Sequence, residues 1–202
     1  MKKWLVPLVI VGVVVFVIFK WVVGFNNTAV RLNENVAEAW GNVETAYQRR
    51  SDLIGNLVKT VQGAADFEKE TLTQVIEARA KATSTTINAG DLTPENMAQF
   101  QKAQAGLSGA LSKLLVSVER YPDLKANQNF LKLQDELAST ENQILTVRTR
   151  FNEAIKPYNN HVKVFPNSIL AGWFGFEGKP YFEAEAGAEK APDVNFDFGT
   201  KK

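Results

Sequence analysis

The stretch Trp4 to Phe25, WLVPLVIVGVVVFVIFKWVVGF, constrains this chain more than any other. Apart from Lys20 it is uncharged, and the first acidic residue is Glu34. At ~1.5 Å per residue, roughly 22 residues make a helix of about 33 Å, enough to cross a hydrocarbon layer of ~30 Å. Trp4 and Trp21 bracket the run where amphipathic rings favour the headgroup level, and Lys20 can snorkel to the same boundary. A cleaved signal peptide is the alternative. Its apolar core, Leu5 to Phe19, is at the upper end of the usual ~7–15 residues, and no A-x-A site follows closely. The reading is therefore an uncleaved anchor over residues 1–25. Lipid attachment through cysteine is excluded, because the chain has none.

Charge and composition exclude several function classes. Of the 23 basic residues Lys2, Lys3 and Lys20 belong to the anchor, which leaves the body slightly acidic against 22 acids. A nucleic-acid partner would call for a basic face, so none is expected. With one histidine, His161, and no cysteine, zinc or haem sites are not expected, and no cofactor is. Lys2 and Lys3 precede the span. The positive-inside rule then leans toward a cytoplasmic N-terminus and a body outside the cytoplasmic membrane.

Beyond the anchor, apolar residues advance in alternating steps of four and three. Val36, Trp40, Val43, Tyr47, Arg50, Ile54, Leu57, Val61 and Ala64 form one such seam, with Arg50 the exception on it. A 3.5-residue period is that of a helix packed lengthwise on others, as in a coiled coil. No proline lies between Pro7 and Pro94, so the anchor is expected to run into this helix, with Gly24, Asn26 and Asn27 the weak point. Residues 63–66 mark a break, with Asp66 or Thr71 as caps for a second helix reaching about Ala82. Thr83 to Asp91 reads as a loop. Thr93-Pro94-Glu95 opens a third helix with a hydroxyl cap, proline at its first position and an acid on the dipole. Tyr121-Pro122-Asp123 ends it. A fourth runs from about Leu124 to Lys163 on the seam Phe130, Leu133, Leu137, Thr140, Ile144, Val147, Phe151, Ile155 and Tyr158, with a kink expected near Pro157. The expected fold is all-α: a transmembrane helix followed by an antiparallel four-helix bundle with long helices, the bundle spanning 26–164.

From Phe165 the character changes. Residues 165–182 are dense in aromatics, glycine and proline, whereas 183–202 are of low complexity and read as a disordered tail. Trp173, Phe174, Phe176, Tyr181 and Phe182 are the interface candidates. Three fates remain open for them: folding back on the bundle, resting at the lipid interface, or binding a partner.

Ala39-Trp40, Arg49 to Val58, Glu77-Ala78-Arg79, Tyr121 to Asn127, Phe130, Leu133, Thr140-Glu141-Asn142, Arg148 and Phe151-Asn152 resemble the LemA family. The resemblance extends from the anchor to Tyr181-Phe182. It implies a bacterial membrane protein with one N-terminal span and a four-helix bundle, and carries no established catalytic residues. Gly55 stands where many members have proline and Phe67 where many have histidine. The first argues against a proline kink. The second removes the most tempting catalytic or metal-binding side chain.

Arg50, Asp52, Asn56, Arg79, Glu141, Arg148 and Asn152 lie on or beside the seams. Arginine pairs bidentately with carboxylates, so Glu141 and Asp52 are natural partners for Arg50, Arg79 or Arg148 across helices. Such a network sets bundle register, or else lines a groove for an anionic ligand or a partner helix. Glu-x-x-His pairs, a Gly-rich phosphate loop after a strand and G-x-S-x-G are all missing, so no enzyme is expected. Two roles follow. One is a membrane-anchored scaffold that binds other envelope proteins, open to homo-oligomer formation. The other is a lipid-interacting protein that shapes the bilayer through its juxtamembrane helix and aromatic segment.

Overall fold

The computed structural model describes residues 2–63 and 67–183. Helix α1 covers Lys2–Gln62, α2 Lys69–Ser84, α3 Pro94–Val118, α4 Pro122–Lys125, α5 Gln128–Lys163 and α6 Asn167–Phe174, with a 3-10 turn at Ala89–Asp91. The described residues contain no strand, so the fold is all-α.

Helix α1 is 61 residues long, about 90 Å at the usual rise. It runs through Gly24, Asn26 and Asn27 without a break, because no proline interrupts it after Pro7 and its seam is packed from Phe25 onward. Before Trp21 the helix stands clear of the body, with Trp4 84% and Phe16 62% exposed. This outer part has a mean hydropathy of 2.7 and is long and apolar enough to cross a membrane.

Helices α1 and α5 pair along their length in opposite directions. Phe25 meets His161, Trp40 meets Phe151, and Arg50 meets Glu141. Both helices carry the 3.5-residue seam, which keeps one stripe facing its partner over many turns. The seam of α1 starts lower than the sequence suggests: Phe25 and Ala29 are buried, and Leu32 packs beside them. Helix α2 pairs with α3 and lies against α1, whereas α3 reaches α1 through side chains such as Phe100, which meets Trp40 and Tyr47. All of α1, α2, α3 and α5 contribute to one apolar cluster around Ile54, Leu57, Leu107 and Leu114. A second cluster, around Trp40, Val43, Phe151 and Ile155, is nearer the apolar span and includes Leu170 and Phe182.

Local chemistry explains most helix ends. The Thr93 hydroxyl accepts from the Asn96 N–H, with Pro94 at the first helical position of α3. Pro122 separates α3 from α4, and Asn127 caps α5 by accepting from the N–H groups of Asn129 and Phe130. The last long helix thus starts at Gln128 rather than Leu124, because Asn127 supplies a better start. Helix α5 carries Pro157 in its interior and continues to Lys163. Helix α2 starts at Lys69 after Glu68, not at Thr71. Ala64 and the alternative cap Asp66 lie outside the described residues, as does the expected tail beyond Glu183.

Candidate functional site

Arg50 comes off the α1 seam and is 3% exposed. Its Nη1 donates to Glu141 Oε1 at 3.0 Å and to Ser108 Oγ at 3.2 Å. Its Nη2 donates to Gln104 Oε1 at 2.6 Å, and the guanidinium lies 4.9 Å from the Tyr47 ring centroid. One side chain therefore ties α1 to α3 and α5. A buried guanidinium requires such company, since an uncompensated charge in the interior costs several kcal/mol. Gln104 and Ser108 carry much of this site: Gln104 is the polar residue on the buried stripe of α3 that Met97, Phe100, Leu107 and Leu111 make, and Ser108 lies beside it. An open groove of about 520 Å³ lies alongside, with Arg50, Lys102, Glu141 and Arg148 in its walls.

Asp52 and Arg79 form a looser pair at 3.7 Å, with side chains 59% and 38% exposed. Arg79 Nε also donates to the Ser51 carbonyl at 2.7 Å. Gly55 makes room for this arm, because a Cβ there would lie 3.2 Å from the Arg79 guanidinium. The Ser51 carbonyl is the one that the residue-55 N–H meets in an α-helix, and a proline at 55 would remove that helical bond. Arg79 already serves that carbonyl. Asn56 is exposed and lines the same shallow groove as Asp52 and Arg79.

Arg148 and Asn152 belong to a different arrangement. Asn152 donates through Nδ2 to the Phe182 carbonyl at 3.1 Å and accepts the Phe182 N–H at 2.9 Å. Asn159 does the same for Lys179, both bonds being 2.8 Å. Seven helical residues span about 10.5 Å and three extended residues about 10 Å, so the two asparagines match the backbone they hold. Arg148 donates to the Glu183 carbonyl and lies 4.9 Å from the Phe182 ring centroid. The Tyr158 hydroxyl donates to the Glu177 carbonyl. Residues 177–183 are thus strapped along α5, with Phe182 pressed against Trp40 and Phe151. Burial pushes the Tyr158 hydroxyl pKa up, aided by the Glu177 charge, and pushes the half-buried Lys179 ammonium down. The polar residues picked out along the seams therefore separate in space into a cross-link at Arg50–Glu141, a surface pair at Asp52–Arg79 and a strap at Arg148–Asn152.

The interface aromatics separate as well. Phe182 is buried, Phe176 packs edge-on to Phe25, and Tyr181 is 41% exposed. Trp173 at 79% and Phe174 at 48% face outward on α6. Of the anchor residues, Trp4 and Lys20 are exposed on the free part of α1, and Trp21 Nε1 donates to Asn167 Oδ1 on α6 at 3.3 Å. Among the described residues no three His, Cys, Asp or Glu side chains gather as a metal site would.

Residues 39–196 match the model of the LemA family. The chain belongs to the LemA family. The match takes in the Arg50 cross-link, the strap and α6 together. This LemA-family chain is also similar to magnetosome protein MamQ 2 of Paramagnetospirillum magneticum, at 28% identity over 78% of this chain and 64% of the relative. Magnetosome protein MamQ of Magnetospirillum gryphiswaldense is 27% identical over 77% and 64%. Protein LemA of Metamycoplasma hominis is 24% identical over 74% and 64%. The match thus spans less than two thirds of the length of these relatives, none of whose names states a reaction.

Proposed function

We propose that this chain is a single-pass, membrane-tethered helical scaffold of the bacterial envelope, binding other membrane proteins without catalysing a reaction. The observation that carries this is the continuity of α1. One helix passes from a fully exposed apolar segment into the centre of the body, so the body cannot swing freely from its anchor. Confinement to a membrane surface raises effective concentration toward other proteins held there. The groove beside Arg50, Lys102 and Arg148 is the surface best suited to an acidic or helical partner segment. The excess of Lys2 and Lys3 before the span favours a body on the non-cytoplasmic side.

The test is photo-crosslinking in intact cells from position 102, with Val116 as an exposed position remote from the groove. Reproducible adducts with membrane proteins from 102 and not from 116 support the scaffold; the same empty pattern from both sinks it. Fusions of alkaline phosphatase and of a fluorescent protein to the C-terminus report the facing compartment. A lipid-acting role is the second reading, favoured by the outward apolar face of α6.

A further inference from the structure

Helix α6 is short, uncharged and oddly placed. Its residues, NSILAGWF, contain no acid or base. Leu170 and Ala171 turn inward and are buried. Ile169 and Trp173, four apart and so on one face, turn outward at 47% and 79% exposure. Phe165, just before the helix, is 76% exposed and Val164 is 58%. A globular body seldom leaves such a run of large apolar groups facing water.

Its position on α1 says what covers it. Trp21 donates to Asn167 Oδ1, the Asn167 Nδ2 group lies 3.4 Å from His161 Nδ1, and His161 Nε2 lies 3.0 Å from the Phe25 carbonyl. These bonds are all satisfied together when Asn167 donates to Nδ1 and a neutral imidazole donates from Nε2. Phe25 stacks on His161 at 4.8 Å and meets Phe174 at 6.3 Å. Helix α6 is therefore held against the last turns of the apolar segment. From Trp4 to Trp21 that segment rises about 26 Å, close to a hydrocarbon thickness, so Trp21 stands at the boundary and α6 stands beside it.

We infer that α6 lies in the headgroup layer of the bilayer that α1 crosses, with Phe165, Ile169 and Trp173 seated among the lipid chains. The fold thereby has a second membrane contact, a lipid-facing foot that sets the tilt and depth of the body. Tryptophan suits this level, and helices that lie in the interface seat their apolar face about 5–10 Å deep. The foot rests on α1 being a span and is independent of the scaffold reading.

The chain has no cysteine, so single spin labels can be placed without removing any. The full chain is reconstituted in phosphatidylethanolamine–phosphatidylglycerol vesicles as W173C, I169C, V14C and V116C, each carrying a nitroxide. Collisional accessibility to oxygen and to a water-soluble nickel chelate is then measured. The expected result is that labels at 173 and 169, like that at 14, favour oxygen several-fold over the nickel reagent, while the label at 116 favours nickel. Water-like behaviour at 173 and 169 with lipid-like behaviour at 14 overturns the foot and leaves the span intact. Water-like behaviour at 14 as well overturns both. Shielding at 173 from both reagents reveals protein there, a partner or a second copy, and overturns the lipid assignment.

Discussion

Arg50 and Glu141 meet at 3.0 Å across α1 and α5, but from unequal surroundings: the Arg50 side chain is 4% exposed and that of Glu141 is 48%. The inequality predicts which half of the pair is harder to lose. Glu141→Leu leaves a guanidinium in the core without its counter-charge and is expected to cost about 3 kcal/mol. Arg50→Met leaves a carboxylate that water can reach and fills the same space with methylenes, but takes the donor from the buried Gln104 Oε1, at about 2 kcal/mol. Urea unfolding of the two variants checks the order. Equal costs, or the reverse order, would show that Gln104 and Ser108 alone satisfy Arg50.

Trp40 Nε1 donates to the Ile87 carbonyl at 2.7 Å, in the buried core between the long helices and the loop after α2. Trp40→Phe keeps a ring against Phe100 and Phe151 but leaves that carbonyl unpaired. A loss of about 2–3 kcal/mol is expected, from an orphaned buried acceptor and reduced volume. Chemical denaturation measures it; a loss under about 0.5 kcal/mol would mean that the carbonyl finds water.

The strap should come away without the body unfolding. Asn152→Ala removes two hydrogen bonds to Phe182, worth about 1 kcal/mol each, and Asn159→Ala removes two to Lys179. Amide exchange at Phe182 and Lys179 should accelerate markedly while the main melting transition moves little. A large drop in melting temperature with unchanged exchange would instead place the strap within the cooperative unit.

Glu68, just before α2, meets Arg120 at 2.8 Å and accepts from Ser117 and Thr71. Desolvation pushes its carboxyl up, but the Ser117 hydroxyl, the Arg120 charge and the Thr71 hydroxyl together hold it below the usual carboxylate value. A depressed pKa contributes stability above the unfolded value, 4.5, that is lost as pH falls through the lower folded value. Urea midpoints between pH 3 and pH 7 should therefore depend less on acid in Glu68→Gln than in the native chain. Parallel curves would exclude Glu68 as a source of the acid dependence.

The helical seams are legible in the sequence because a packed helix repeats its apolar residues at a fixed period, and Val36 to Val61 and Phe130 to Tyr158 keep that period with only Arg50 and Thr140 polar on it. Thr93-Pro94 is legible for an equally local reason, a hydroxyl followed by a ring with a helical φ. The Asn127 cap is just as local, but Pro122, a short way earlier in the chain, offers a competing start, and a short helix at Pro122–Lys125 does form there. Phe25 is harder to read, since an apolar residue at the end of an apolar span gives no sign of whether lipid or protein covers it.

By itself the sequence determined an all-α chain, an apolar segment long enough to cross a bilayer, and the stripes on which α1 and α5 pack, because each depends on neighbours within a few turns. Only the tertiary structure decided that Arg50 takes Glu141 while Arg148 holds the strap, and that Phe182 is buried while Trp173 is not. Those choices join residues far apart in the chain, 91 positions for Arg50 and Glu141, and a helical period says which face a side chain occupies but not what arrives there.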